Sequence, residues 1–293
     1  MQWKINFFVP IQGDNLKLTG AILQFIDHER NGQEIDQGLI KKVVDSFVSL
    51  GLDEDDVNRI HLDAYKKHFE VPLLGATEKY YKLKSVAFLA ENSISGYLKK
   101  VEEWLREEEG RVERYLNTET RKPLISSCVR VLIREHLGSM YEASVSFFDH
   151  GKAVDLRRMY GLIARNPDDL EPLRGTFEEH VKRVGLAAIS RLVGEDGAAT
   201  EVDPKAYVDA LFEVHRNNSG SVRWWFKSDA SFVARLDKAC RDFINKNAAT
   251  STPSAKSPEL LSKCVDALLR RGNNMAEKYL EDTLDRVVCP FSD

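Results

Sequence analysis

Nine prolines and 17 glycines in 293 residues are fewer than average usage would supply, so the sequence has little of the chemistry that breaks or turns a backbone. Long apolar runs are missing as well. No stretch reaches the roughly 18 to 20 residues needed to span a bilayer, and the sequence predicts a soluble product. Met1 to Ile11 carries one lysine and an apolar stretch interrupted by Asn6 and Pro10, without the long apolar segment or small-residue cleavage site of a signal peptide. Charge of one sign is not in excess: 42 basic against 46 acidic residues leave a net charge of -4, which gives no global field for nucleic acid or an anionic membrane. Four cysteines, Cys128, Cys240, Cys264 and Cys289, stand singly with no metal or redox spacing. Three of them occupy apolar positions of helical patterns, which predicts reduced, buried thiols in a cytoplasmic and nuclear protein.

What is present is helical periodicity, in a chain that is 43% hydrophobic and 30% charged. Apolar residues recur on one helical face at Phe232, Val233, Leu236, Cys240, Phe243 and Ile244. The same spacing runs through Ile35, Leu39, Val43 and Phe47, through Tyr97, Val101, Trp104, Leu105, Val112 and Tyr115, and through Leu260, Leu261, Cys264, Val265, Leu268 and Leu269. Asp203-Pro204 and Ser257-Pro258-Glu259 each pair a capping side chain with proline at the first helical position. Gly51, Gly151, Gly220 and Gly272 follow periodic stretches, where a left-handed residue lets the chain leave a helix. These signals predict helices near 14–30, 35–50, 60–91, 94–117, 121–137, 139–149, 153–165, 168–193, 204–218, 229–247, 258–271 and 276–288. Pro72 should bend or restart the third near Val71. Residues 194–202 and 248–257 read as surface loops. A dozen helices without one shared stripe suit a superhelical array built from units several helices long.

Signatures of chemistry are scarce. Metalloprotease, phosphate-loop and dinucleotide fingerprints are absent, and His136 and His215 end apolar stripes as packed or capping residues. Asp53, Glu54, Asp55 and Asp56 form the one acidic run that could suggest a magnesium-dependent enzyme, but they follow the helix stop at Gly51 and read as a solvated turn or helix start. Glu102, Glu103, Glu107, Glu108 and Glu109, interleaved with Lys99, Lys100, Arg106 and Arg111, read as the polar face of a long helix. The pairs Lys41-Lys42, Arg157-Arg158, Lys182-Arg183 and Arg270-Arg271 sit on separate helices as solvated faces. In Trp224-Trp225-Phe226 three consecutive large aromatics cannot all enter one core, so Trp224 or Trp225 is a candidate exposed partner contact.

Read in order, the chain contains TEKYYKLKSVAFLAENSISGYLKKVEEWLREEEGRVERYL from Thr77, VLIREHL from Val131, DLRRMYGLIAR from Asp155, GLAAI from Gly185, DPKAYVDALFEVH from Asp203, FVARLDKACRDFINKNA from Phe232, SPELLSKCVDALLRRG from Ser257 and LEDTLDRVV from Leu280. Together these segments resemble the cullin amino-terminal stalk, most closely that of the cullin scaffolding SCF-type ubiquitin ligases. The resemblance implies an all-α, elongated superhelical stalk of five-helix cullin repeats. On this basis residues 1–52 are the tail of a first repeat and the start of a second, 53–166 the second, 167–288 the third and 289–293 a divergent tail. It implies a noncatalytic scaffold, without cofactor or metal, that spaces a substrate receptor from a RING-box module for ubiquitin-dependent degradation. The family's partners are the Skp adaptor with its F-box protein, and the RING-box protein. Most of the adaptor-binding repeat precedes this sequence in the family, so any residual adaptor contact falls to Trp3, Lys4 and Phe7. The departure from the family after Val288 suggests truncation at both ends. Two other readings stay open on the residues alone: a different helical-repeat scaffold such as a vesicle-tethering subunit, and the magnesium-dependent helical enzyme.

Overall fold

The computed structural model describes residues 16–49, 62–193, 203–246 and 257–269. Every regular element among them is helical, as the periodicity requires. Trp3, Lys4, Phe7, the acidic run at 53–56, the loop at 194–202, the expected helix at 276–288, Gly51, Gly272 and Cys289 lie outside the described residues, as does the loop at 248–257 but for Ser257. The chain divides into two compact units between Ser139 and Met140.

The first unit contains α1 (Lys17–Arg30), α2 (Gln37–Ser49), α3 (Asp63–Tyr65), α4 (Val71–Glu91), α5 (Ile94–Tyr115) and α6 (Arg121–Leu132). Helix α4 packs on α1 and α6, while α5 packs on α2, α4 and α6. Its core joins Ile22 and Ile26 of α1, Ile40, Val44 and Phe47 of α2, and Val112 and Tyr115 of α5. On α2 the buried stripe is Ile40, Val44 and Phe47, against the expected Ile35, Leu39, Val43 and Phe47: Phe47 is buried as expected, the buried positions before it lie one residue on, and Leu39 is 46% exposed. At 100° per residue that offset turns the helix by about a quarter-turn, which spacing alone resolves poorly because Ile35 and Val43 remain partly buried on the seam.

The expected disturbance at Pro72 is a π-helical turn, Lys66–Glu70, joining α3 to α4. Proline has no N–H to give the carbonyl four residues earlier, and its ring crowds that carbonyl. The carbonyl in question belongs to His68. It accepts a hydrogen bond at 2.6 Å from the hydroxyl of Thr19 on α1. A break imposed by one proline is thereby used to attach a neighbouring helix. The predicted helix over 121–137 stops earlier, at Leu132, and continues as a 3-10 turn, Arg134–His136. There the Tyr97 hydroxyl donates to the Leu132 carbonyl at 2.8 Å, a tertiary partner that replaces a helical one.

The second unit contains α7 (Leu137–Asp149), whose first turn begins in the first unit, α8 (Ala153–Ile163), α9 (Glu171–Val193), α10 (Pro204–Trp225), α11 (Ala230–Asn245) and α12 (Ser257–Leu269). Asp203 caps α10 as expected, accepting from the Lys205 and Ala206 amides, and Asp229 caps α11 through the Ser231 amide. Gly151 ends α7 with a φ of 60°, also as expected. Gly220 does not end α10. The helix runs on to Trp225, and the left-handed residues after it are Lys227 and Ser228, at φ 53° and 59°. Packing holds this exit. Phe226 is fully buried and stacks on Phe232 at 3.9 Å, so a turn joins the two helices immediately after the aromatic run.

Helix α10 packs on α8, α11 and α12, and α9 packs on α10 and α11. Along α11 the buried face is Phe232, Leu236, Ala239, Cys240, Phe243 and Ile244, while Val233 lies at its edge and is 41% exposed. Of the glycines among the described residues, Gly185 is the most tightly enclosed: a Cβ there would lie 2.5 Å from the Phe243 ring. Glycine here is a requirement of helix spacing, independent of φ. The buried Nε of Arg174 has no hydrogen-bond acceptor, and its guanidinium lies 6.0 Å from the Phe232 ring centroid.

Candidate functional site

Two clusters of buried charge and one exposed aromatic surface stand out. In the first unit Glu108 of α5 is buried, against its expected place on a solvated face, and Arg111 is buried with it. Glu108 accepts a two-point pair from Arg30 of α1, Nε to Oε1 at 2.9 Å and Nη2 to Oε2 at 3.1 Å. Arg111 Nη1 and the Tyr81 hydroxyl also donate to Oε1, at 3.0 and 2.7 Å. Arg30 donates further to Thr77 at 2.7 Å and lies over the rings of Tyr80 and Tyr81. Glu29 forms the second anion of the cluster, accepting from Arg111 Nε, Arg114, Gln37 and the Tyr115 hydroxyl. The stripe Val101, Trp104, Leu105, Val112, Tyr115 has a vacancy at position 108, and this was the one available signal in the sequence. The other glutamates of α5 are partly or fully exposed, and Lys100 pairs with Glu103 one turn on, at 3.0 Å.

Burial by itself would raise the Glu108 carboxyl. The charges and hydrogen bonds of Arg30 and Arg111, with the Tyr81 hydroxyl, outweigh that effect and hold it below the usual carboxylate range. Glu29 follows the same pattern: burial raises it, while Tyr115, Arg111 and Arg114 bring it lower. A carboxylate held ionised by two guanidiniums is a poor proton donor or acceptor near neutral pH. What the cluster does is fix α1, α4 and α5 in one register, since each helix supplies a partner that the others cannot replace.

The second unit has a similar hub at Glu178 on α9. Arg235 and Lys238 of α11 and Lys182 of its own helix bind it at 2.7, 2.8 and 2.8 Å. Burial raises this carboxyl, and the three cationic donors bring it down to about 2. Lys182 also meets Asp242 at 2.8 Å, so it is a cross-helix connector where a solvated residue was expected.

Among the described residues no group of His, Cys, Asp and Glu could hold a metal ion. His136 is packed, as expected, against the Tyr97 ring and within 3.0 Å of the Ser85 hydroxyl, and burial lowers its pKa. His215 lies 3.9 Å from Asp237. Cys128, Cys240 and Cys264 are buried free thiols, each pushed up in pKa by burial, Cys240 to about 12. None has the lowered pKa of a reactive nucleophile. No helix among the described residues is long and apolar enough to cross a membrane.

The aromatic run divides as its spacing demands. Phe226 enters the core, and Trp225 is partly buried against Phe148. Trp224 is 47% exposed, with the Arg157 guanidinium of α8 at 4.9 Å from its ring centroid.

Residues 1–292 match the family model of the cullin alpha solenoid domain. Cullin-1 of Dictyostelium discoideum is 42% identical over 292 residues, covering 99% of this chain and 37% of the relative. Cullin-1 of Schizosaccharomyces pombe is 36% identical, covering 99% of this chain and 38% of the relative. Cell division control protein 53 of Saccharomyces cerevisiae is 28% identical, with 92% of this chain and 36% of the relative covered. The chain thus spans somewhat more than a third of the length of these curated relatives. A helical chain whose buried charges tie helices together, matched along nearly its whole length by the cullin solenoid model, belongs to the cullin family.

Proposed function

We propose that the chain is a noncatalytic scaffold segment of an SCF-type cullin-RING ubiquitin ligase, spacing the substrate receptor from the RING-box module. The observation that carries this reading is the unbroken match to the cullin solenoid model over residues 1–292, together with similarity to Cullin-1 proteins. The physical support is stiffness. The buried Arg30–Glu108 pair, the Glu178 hub and close helix contacts have few alternative arrangements, so a helix cannot slide without leaving a charge unpaired. Proximity of substrate to the transfer site is then a matter of geometry. The repeat boundaries proposed from the resemblance are 53–166 and 167–288, and Trp3, Lys4 and Phe7 are the residues proposed for any adaptor contact. Partners at the level of the whole ligase are the Skp adaptor with its F-box protein, and the RING-box protein.

A chimera tests this. The matching segment of the Dictyostelium Cullin-1 is replaced by this chain, and the product is assayed for substrate ubiquitination with adaptor, F-box and RING-box subunits. The expected result is transfer that depends on all three. A chimera that copurifies with both end modules yet transfers no ubiquitin would refute the spacing role. Discharge of an E2 conjugate by the isolated chain would refute the noncatalytic reading.

A further inference from the structure

We propose that Trp224, the Arg157 guanidinium over its ring and the basic positions that flank it in sequence form a docking surface for an acidic segment of a partner protein that carries an apolar anchor. This inference stands apart from the ligase reading and rests on the second unit alone. Trp224 is a large aromatic left half in solvent at the end of α10, and Val154 of α8, one turn before Arg157, is 53% exposed. Arg157 lies over the indole and limits its rotamers, so less side-chain freedom remains to be lost on binding. Exposed Trp and Arg side by side is the composition that concentrates binding energy at protein interfaces.

Charge selects the partner. From Val214 to Ser228 the chain has no acidic residue, and its exposed positions include Arg216, Arg223 and Lys227. Among the described residues, Arg157, Arg216, Arg223 and Lys227 have no carboxylate at ion-pair distance, although cations elsewhere in this unit are closely paired. The acids nearest in sequence are engaged: Asp229 by the Ser231 amide and the Tyr160 hydroxyl, and Asp155 of α8 by Arg158 at 4.0 Å. In a chain of net charge -4, this is a local excess of positive charge around an apolar anchor point. Nucleic acid fits less well, since base-stacking platforms present successive open aromatic faces. Here Trp225 is turned to Phe148, and one face of Trp224 is occupied by Arg157.

The test titrates the intact chain against a fluorescein-labelled, glutamate-rich peptide with a central Leu-Phe pair, read by anisotropy. Poly-dT serves as competitor. Saturable binding is expected, weakened about tenfold or more by Trp224→Ala and abolished by Arg157→Glu combined with Arg223→Glu. Lys79→Glu and Lys99→Glu, made at exposed sites elsewhere, should leave it within about twofold. Trp224 is half-buried, so the melting temperature of Trp224→Ala is measured beside its binding, and a variant still folded at the assay temperature separates lost binding from lost folding. The proposal is overturned by absent peptide binding, by equal affinity of parent and Trp224→Ala, or by equal losses in the control variants. Tighter binding of poly-dT that also depends on Trp224 would overturn it in favour of a nucleic-acid surface.

Discussion

Glu108→Gln should unfold the first unit more easily by about 3 to 5 kcal/mol, although it changes one atom of one side chain. The side chains of Arg30 and Glu108 are each 1% exposed, and Arg111 is buried beside them. Removing the carboxylate charge leaves two guanidiniums out of water, with Asp27 at 3.2 Å from Arg30, and Glu29 at 3.1 Å and the half-exposed Glu107 at 3.9 Å from Arg111, as the remaining anions. The cost is dominated by those unpaired cations. Arg30→Met alone should cost a similar amount by leaving Glu108 with Arg111 only. The double variant Arg30→Met with Glu108→Gln removes both charges and keeps Arg111 on Glu29, so it should be less destabilised than the sum of the two singles by about 2 kcal/mol. Urea unfolding followed by circular dichroism supplies the free energies, and peptide-resolved hydrogen exchange over α1 and α5 shows that the loss is local. Singles costing less than about 1 kcal/mol, or a strictly additive double, would refute the view that this pair is buried and coupled. Acid provides an independent check. Glu108 and Glu29 are depressed in the folded protein, so their stabilisation is present in full above the ordinary Glu pKa of about 4.3. It is lost as pH falls through their lower folded values. The acid-limb loss should be smaller in the double variant.

Gly185→Ala places a Cβ against the Phe243 ring and should cost about 1 to 3 kcal/mol, with Phe243→Leu recovering part of the loss in a thermal-melt series. Leu236→Ala and Phe243→Ala empty fully buried sites on α11, and each should cost about 2 to 5 kcal/mol by the same measurement; no loss at either would contradict the packing of α11 on α9. Thr19→Val removes the hydroxyl that serves the His68 carbonyl and should cost about 1 to 3 kcal/mol, with faster amide exchange across the π turn. Cys128 and Cys240, raised in pKa by burial, should resist iodoacetamide at pH 8 in the native protein and react once it is unfolded, as peptide mass mapping would show.

Local signals made most of the helices legible. Capping by Asp203, the stop at Gly151 and the effect of Pro72 depend on the chain within a turn or two of each residue, so each could be read before any packing was known. Family membership was legible for a related reason: the order of motifs from Thr77 to Val288 is written in the chain itself. Outcomes decided at long range were not legible. Glu107, Glu108 and Glu109 are chemically the same side chain, and only Glu108 is withdrawn from water, because Arg30 meets it from 78 residues away. Gly220 carries the composition of a helix stop, but α10 passes through it and turns only after Phe226, which is buried against Phe232. Trp224, Trp225 and Phe226 have similar hydrophobicity, and their separate places at the surface, at the seam and in the core follow from which neighbours α7, α8 and α11 bring to each. Helix starts marked by a capping side chain and proline are set within a turn, because capping is local, whereas α10 and α6 end where tertiary partners meet them. Tertiary structure decided which charges are buried and which aromatic is left exposed, because burial belongs to the meeting of two surfaces.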